Sequence, residues 1–198
     1  MASDPRYAAG PLYVQEVEGL GTVRVDPVDP DADAPLIHSW VSAERARFWG
    51  MRGASPDEVR EVYAHLDSLD THHGFLARLD GEPAALFQTY EPEADRVSEC
   101  YDPLPGDLGV HLMVGPAATP RPGYSGALLG ALFAFALRDR TRLVAEPDAA
   151  NAKAIARLVR CGFTLGPLVV LPEVDLPEVH IPAKRARLTF LTREPAGP

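Results

Sequence analysis

The sequence predicts a single α/β domain of α+β-like character, and three observations lead to that fold class. Short segments that alternate apolar and polar residues, as half-buried strands do, recur along the chain. Between them lie segments whose apolar residues have helical spacing. Neither a convincing linker nor an internal repeat interrupts this order. We therefore expect residues 1–10 to form a flexible tail and residues 11–194 to form one domain.

The first part of the chain predicts two strands followed by two helices. Residues 13–17 and 22–25 alternate apolar and polar side chains. After a turn region rich in proline and aspartate at 26–33, residues 34–42 have helical spacing. A second helix begins at Ser55-Pro56-Asp57-Glu58, a capping box with proline at the first helical position, and we expect it to reach Leu69. The apolar residues that it would bury are Val59, Val62, Tyr63 and Leu66.

The remaining elements alternate between strands and helices. Asp80-Gly81-Glu82-Pro83 separates two apolar runs and predicts a hairpin. A loop rich in glycine and proline at 115–124 precedes a strongly apolar helix, and a proline-rich excursion separates the last two strands. The predicted strands are 75–79, 84–90, 108–114, 143–146, 163–171 and 187–192, and the predicted helices are 125–138 and 151–161.

Composition narrows the classes of function. The formal net charge is −9, whereas a nucleic-acid-binding domain usually carries a basic face, so we expect no nucleic-acid partner. We expect neither a signal peptide nor a membrane partner, because no apolar run approaches the ~18 residues of a membrane span. Cys100 and Cys161 lack metal-ligand spacing, which favours a cytoplasmic protein with reduced thiols and no metal. A monomer and a homodimer are both compatible with the sequence.

A strand, a loop containing glycine and a helix follow one another from residue 109 to residue 126. Such a loop directs backbone N–H groups at one point, and with Arg121 and the helix dipole it would suit a pyrophosphate. Loops of this composition are also common as simple turns. Farther along, Asp148 and Asn151 lie where a strand passes into a helix, and either residue can also serve as a cap. Gly162 would end that helix before Phe163.

Together these features resemble the GNAT superfamily of acyl-CoA N-acyltransferases over roughly residues 20–193. The resemblance implies one mixed, mostly antiparallel sheet that is flanked by helices and has a splayed cleft for acyl-CoA. It implies acetyl-CoA or succinyl-CoA as the co-substrate. The positions that would contact this cofactor are Met113, Val114, Arg121, Gly123, Tyr124, Ser125, Gly126 and Asn151.

Three stretches resemble one branch of this superfamily in particular: residues 45–51 (RARFWGM), 109–116 (GVHLMVGP) and 145–148 (AEPD). They are similar to the branch that acylates hydroxylysine or N-hydroxy-diamines during siderophore biosynthesis, as in the mycobactin, aerobactin and desferrioxamine pathways. In that branch the strand histidine and the turn aspartate are the proposed catalytic residues, which correspond to His111 and Asp148. The resemblance implies a small N-hydroxylated amine, such as N6-hydroxylysine or N-hydroxycadaverine, as acceptor and a hydroxamate for iron acquisition as product.

This chemistry needs a proton acceptor. As the amine attacks a thioester carbonyl, its nitrogen becomes acidic, and Asp148 is the candidate base. A hydroxylamine is largely unprotonated near neutral pH, so the base does not need an extreme pKa. His111 would hydrogen-bond the hydroxyl group or help to transfer the proton, unless it is a histidine of the core.

Four further residues are candidates for substrate binding. Trp49 and Met51 would wall the substrate or acyl pocket, or else pack in the core. Tyr90 and Glu91 would reach the far end of the substrate, or else lie solvated at the end of a strand. Two other functions fit the same sequence: a GNAT acetyltransferase of plain amines, antibiotics or protein N-termini, and an acyl-CoA-binding protein without catalysis.

Overall fold

The computed structural model describes residues 10–116, 122–176 and 179–193. This part of the chain contains ten strands and four α-helices. The strands are β1 (Tyr13–Val17), β2 (Gly21–Pro27), β3 (His72–Leu79), β4 (Glu82–Tyr90), β5 (Asp107–Val114), β6 (Arg142–Ala145), β7 (Thr164–Leu171), β8 (Val174–Leu176), β9 (Val179–Ile181) and β10 (Lys184–Thr192). The helices are α1 (Pro30–Val41), α2 (Pro56–Asp67), α3 (Tyr124–Leu137) and α4 (Ala152–Arg160). None of the described helices is long and apolar enough to cross a membrane.

Eight strands form a mixed sheet with the hydrogen-bonded order β1-β2-β3-β4-β5-β6-β10-β7. The pairs β1/β2, β2/β3, β6/β10 and β10/β7 are antiparallel, whereas β5 and β6 are parallel. A parallel pair needs a crossover connection, and α3 supplies it between β5 and β6. The predicted fold class, a mixed and mostly antiparallel sheet with helices, is confirmed.

Close contacts divide the chain into two compact units. One comprises the chain up to Gln88 together with His111–Leu132, and the other comprises Thr89–Val110 and the chain from Phe133 onward. We refer to them as the first and the second unit. The single domain over residues 11–194 stays a prediction.

The first unit contains two capped helices. Helix α2 begins as predicted, with the Ser55 hydroxyl and the Glu58 carboxylate forming a reciprocal capping box. Helix α1 begins at Pro30, four residues before the predicted start, because the Asp29 carboxylate accepts hydrogen bonds from the first turn and Pro30 suits the first helical position. The prediction that Val62 faces inward is wrong, because its side chain is 42% exposed.

One apolar core joins α1 and α2 to strands of the first unit. Tyr63 and Val59 of α2 are buried in it, as predicted. Its buried members are Val28, Ala34, Ile37, Trp40, Val41, Val59, Tyr63, Leu76 and Leu86. The hairpin between β3 and β4 also forms as predicted, and it turns at Asp80-Gly81, both of which have positive φ.

The second unit is held by a buried ion pair at the start of two parallel strands. Asp107 of β5 and Arg142 of β6 are register partners, and the guanidinium makes two hydrogen bonds of 2.7 and 2.6 Å to the carboxylate. Burial raises the pKa of Asp107, but the hydrogen bonds from Arg142, the Leu104 N–H and Tyr101 outweigh burial, so the pKa lies below its ordinary value. A lowered pKa means that the ionised carboxylate stabilises the fold.

Asp107→Asn is therefore expected to lower the free energy of unfolding by about 2 kcal/mol at pH 7. An ionised carboxylate with a lowered folded pKa stabilises the fold above its unfolded pKa of about 3.9, and this contribution is lost as the pH falls through the folded pKa. The difference between wild type and variant should thus be larger at pH 7 than at pH 3. Urea denaturation at both pH values measures it, with Asp139→Asn, whose side chain is 82% exposed, as the control. A difference that does not depend on pH would contradict the argument.

The end of the chain differs from the prediction in two ways. The proline-rich excursion contains the short strands β8 and β9, which pair antiparallel and were not predicted. Strand β10 begins at Lys184, three residues before the predicted start, and pairs with β7 from there on. The alternation of basic and apolar residues from Arg185 to Leu188 is the signal that marks this extension.

Candidate active site

His111 lies in the first unit, on the half of β5 that leads to the glycine- and proline-containing loop. Because side chains alternate along a strand, His111 and Met113 share one face, while Val110 is buried on the other. The imidazole is partly exposed and meets the indole of Trp49 edge-on, with ring centroids 6.5 Å apart. The imidazole is thus not fully buried, and its catalytic role stays a prediction.

Gln88 and Tyr63 continue from His111 into the core of the first unit. The Gln88 amide donates to the Tyr63 phenol oxygen at 3.0 Å, and its Oε1 lies 3.4 Å from His111 Nδ1. An amide oxygen can only accept, so this contact favours the tautomer in which Nδ1 carries the proton and Nε2 is the basic nitrogen. Sequence reasoning did not select Gln88, although it is the one amide in the apolar run 84–90.

Tyr63 supports this wall from within the core. Burial raises the pKa of its phenol, while hydrogen bonds from Gln88 and Trp49 act in the opposite direction. The phenol thus stays protonated and fixes the Trp49 indole and the Gln88 amide that flank His111. Trp49, Met51 and Met113 are partly buried against the same core, so their packing is shown, while their contacts to substrate or cofactor stay predictions.

The predicted phosphate-binding loop is described only in part. Arg121 lies outside the described residues. Gly123 has φ +78° and precedes α3, whose first turn contains Tyr124, Ser125 and Gly126. A helix N-terminus attracts anions, so this turn remains the predicted binding site for the cofactor phosphates. Upstream of the loop, the Val114 carbonyl accepts a hydrogen bond of 2.8 Å from Arg45, a residue of the RARFWGM stretch.

Asp148 lies in the second unit, on a turn that follows β6. The turn is attached to β10 by two backbone hydrogen bonds, from Ala149 N–H to the Arg185 carbonyl at 2.9 Å and from Arg187 N–H to the Pro147 carbonyl at 3.0 Å. Ala150 N–H donates to Asp148 Oδ1 at 2.7 Å. Within the described ranges no cation forms an ion pair with this partly exposed carboxylate. The turn thus presents a carboxylate in a fixed orientation.

A buried polar network lies under this turn. Glu146, which precedes Pro147-Asp148, is 4% exposed, accepts a hydrogen bond of 2.7 Å from the Tyr90 phenol and lies 3.5 Å from the Lys184 ammonium. Burial, and next the neighbouring Glu146, raise the pKa of Tyr90, so the phenol remains the donor. Tyr90 is 2% exposed, so the alternative of a solvated strand end is wrong. Its contact with substrate stays a prediction, and sequence reasoning gave no role to Glu146 or Lys184.

Glu91 and Asn151 each have a structural partner in the second unit. The Glu91 carboxylate forms a two-fold ion pair with the Arg140 guanidinium. The Asn151 side chain accepts a hydrogen bond of 3.2 Å from Ala154 N–H and so caps α4. The capping alternative for Asn151 is confirmed, while contact with cofactor for Asn151 and with substrate for Glu91 stay predictions.

An open groove of about 500 Å³ lies beside Asp148 in the second unit. We call it the Asp148 groove. It is bounded by the Asp148 turn, by Ile155 of α4, by β7 and by two arginines of β10 that sequence reasoning did not select. Its lining residues are Asp148, Ala149, Ala150, Ile155, Leu165, Leu168, Arg185 and Arg187.

A family model described as an acetyltransferase (GNAT) domain matches residues 29–171, the greater part of the chain. The chain belongs to the GNAT acetyltransferase family. The prediction of an acyl-CoA-dependent N-acyltransferase is thereby confirmed at the level of the family. The predicted site residues divide between the units: His111, Trp49, Met51 and Met113 lie in the first, and Asp148, Asn151, Tyr90 and Glu91 lie in the second.

Two curated relatives of this GNAT chain match most of its length. It is 26% identical over 171 residues to the N(6)-hydroxylysine O-acetyltransferase of Escherichia coli, covering 83% of this chain and 50% of the relative. It is 24% identical over 176 residues to the lysine N-acyltransferase MbtK of Mycobacterium sp. (strain MCS), covering 86% of this chain and 67% of the relative. The chain thus spans half the length of the E. coli relative.

The fold of this GNAT chain also matches solved structures. The aminoglycoside acetyltransferase AAC(6')-Ib in complex with coenzyme A superposes with a TM-score of 0.70 at 22% identity, covering 86% of this chain and 95% of that chain. This likeness shows the fold.

Proposed function

We propose that this chain transfers an acyl group from acyl-CoA to the hydroxylamine nitrogen of an N-hydroxylated diamine or lysine and so forms a hydroxamate for siderophore biosynthesis. The observation that carries the proposal is the partly exposed Asp148 carboxylate, which is oriented by its turn and has no ion-pair partner among the described residues. The names of the two relatives, a hydroxylysine acetyltransferase and a lysine acyltransferase, support the acceptor class.

The proposed reaction assigns one role to each candidate residue. The nitrogen lone pair attacks the thioester carbonyl carbon, the C–S bond breaks, and CoA leaves as its thiolate. The proton that nitrogen loses passes to Asp148, which acts as general base and then releases it to solvent, from which the thiolate takes up a proton to give the free thiol. His111 forms a hydrogen bond with the acceptor hydroxyl. The phosphates of the donor lie at the N-terminus of α3, and acetyl-CoA and succinyl-CoA are the proposed donors.

A matched set of acceptors tests the proposal. We expect free thiol to be released faster from acetyl-CoA or succinyl-CoA with N6-hydroxylysine or N-hydroxycadaverine than with lysine or cadaverine. The product should give the coloured ferric complex of a hydroxamate. Because the name of the E. coli relative specifies transfer to oxygen, this colour also separates N-acylation from O-acylation, whose product lacks the hydroxamate.

Three results would contradict the proposal, each in favour of another reading. Faster turnover of the plain amines would indicate an amine acetyltransferase of the same family. Thiol release without the ferric colour would indicate transfer to oxygen. Binding of CoA without turnover of any acceptor would indicate an acyl-CoA-binding protein.

A further inference from the structure

The Asp148 groove combines an apolar wall with two cations. Leu165 and Leu168 of β7 are 55% and 50% exposed, and Ile155 of α4 lines the same groove. Arg185 and Arg187 lie on one face of β10, because the intervening Ala186 is buried on the other. Arg187 lies opposite Leu168 in the β10/β7 register. A ligand in the groove would thus meet aliphatic groups and guanidinium groups together.

Positive charge is in excess in the groove. Among the described residues that line it, the two arginines outnumber the one carboxylate, that of Asp148. Arg187 uses Nη1 to donate to the Gly166 carbonyl at 2.9 Å, which holds its guanidinium in place. Arg185 is exposed, and within the described ranges no carboxylate forms an ion pair with it. In a chain of formal charge −9, this is a local surplus of positive charge that suits a carboxylate.

The backbone fixes these arginines relative to the proposed base. Asp148 and Ala186 form an isolated antiparallel bridge. The hydrogen bonds from Ala149 N–H to the Arg185 carbonyl and from Arg187 N–H to the Pro147 carbonyl flank this bridge. A ligand in the groove would therefore lie beside both the proposed base and the two cations, as the acceptor in the proposed reaction has to do.

We propose that the Asp148 groove binds the acceptor as an amino acid: the carboxylate lies at Arg185 and Arg187, and the methylene chain lies along Ile155, Leu165 and Leu168. This inference rests on the proposed function and deepens it, because it selects N6-hydroxylysine over N-hydroxycadaverine. Beside its α-ammonium, hydroxylysine carries the carboxylate that the arginines recognise, whereas hydroxycadaverine carries at that end only an ammonium, which they repel. Arg185 and Arg187 are thus specificity-determining residues.

Charge removal and charge reversal at Arg185 test the inference. Arg185→Gln is expected to lower kcat/KM for N6-hydroxylysine about tenfold, mainly through KM, and to raise kcat/KM for N-hydroxycadaverine, because one of the two cations that repel its ammonium is removed. Arg185→Glu should reverse the preference, with N-hydroxycadaverine becoming the better acceptor. The control for the change in net charge is Arg160→Gln. Arg160 is exposed at the end of α4 and lies outside the groove, so this variant should change kcat/KM for neither acceptor.

Three outcomes would overturn the inference. An equal loss for both acceptors would indicate a structural role for Arg185. A higher KM for acyl-CoA with every acceptor would assign the arginines to the cofactor phosphates. If activity falls with succinyl-CoA but not with acetyl-CoA, the carboxylate that the arginines bind is that of the acyl group and not that of the acceptor.

A further pair of measurements separates this inference from the proposed function. The proposed function fails if N-hydroxylated amines are not turned over. The preference for a carboxylate is then measured by comparing kcat/KM for lysine with kcat/KM for cadaverine. Calorimetric titration with N6-acetyl-N6-hydroxylysine and with N-acetyl-N-hydroxycadaverine needs no turnover. We expect the first hydroxamate to bind about tenfold more tightly to the wild type, and this advantage to be lost in Arg185→Gln. Equal affinity of the wild type for both would overturn the inference.

Discussion

Asp148→Asn is expected to lower kcat by about 100- to 10,000-fold, the range over which general base catalysis contributes. An amide cannot take the proton from the attacking nitrogen, but its oxygen can still accept the hydrogen bond from Ala150 N–H that orients the side chain. The turn should therefore keep its shape, and the affinity for CoA and the unfolding temperature should stay unchanged. Steady-state thiol release and calorimetric titration with CoA measure the two effects.

The matched control for this variant is Asp139→Asn, which changes the charge in the same way at an exposed site. Combining Asp148→Asn with His111→Gln shows whether both residues act in one step. If they do, the double variant should lose less activity than the product of the two single losses. Normal turnover of Asp148→Asn would refute the assignment of Asp148 as the base, whatever effect His111→Gln has on turnover.

Gly109→Ala is expected to lower the free energy of unfolding by about 3 kcal/mol, at the upper end of the usual cost of overpacking. A Cβ at this position would lie 2.1 Å from two ring carbons of Tyr90, which is fully buried. Either the ring or β5 would have to move, and movement of the ring would disturb the hydrogen bond to Glu146 under the Asp148 turn. Urea denaturation measures the loss, and turnover should fall with it.

Gly130→Ala provides the control, because a Cβ there would meet no atom within 4 Å. It lies inside α3, where alanine is favoured over glycine by about 1 kcal/mol, so this variant should be more stable than the wild type. Replacing glycine by alanine is thus expected to destabilise the protein at position 109 and to stabilise it at position 130. Equal stability of Gly109→Ala and the wild type would show that Tyr90 does not need this close approach.

Elements with a complete local signal could be predicted from the sequence. The capping box at Ser55 fixed the start of α2, and Asp80-Gly81 fixed the hairpin, because both signals depend on residues that are neighbours in the chain. The start of α1 was missed because Asp29-Pro30 is equally compatible with a turn. Val62 was placed inward by helical spacing, which gives the direction of the buried face only approximately, and the structure exposes it.

The candidate site was predictable only in part, for a similar reason. His111 and Asp148 follow from the family resemblance, and the structure gives each a partly exposed position. The groups around them depend on contacts between distant segments: Gln88 meets Tyr63 across 25 positions, and Tyr90 meets Glu146 across 56. Nor could the sequence show that Arg185 and Arg187 lie beside Asp148, because only the bridge between Asp148 and Ala186 brings them there.

The place of β10 in the sheet has a consequence for synthesis of the protein. Strand β10 is the last described strand, yet it lies between β6 and β7 and pairs with both. Residues of β6 and β7 leave the ribosome before this common partner, and until β10 follows, the Glu146-Pro147-Asp148 turn lacks its attachment. A nascent chain or a fragment that ends before residue 184 would therefore present two unpaired strand edges, which favours aggregation. The proposed proton acceptor would acquire its fixed orientation only when translation has passed β10.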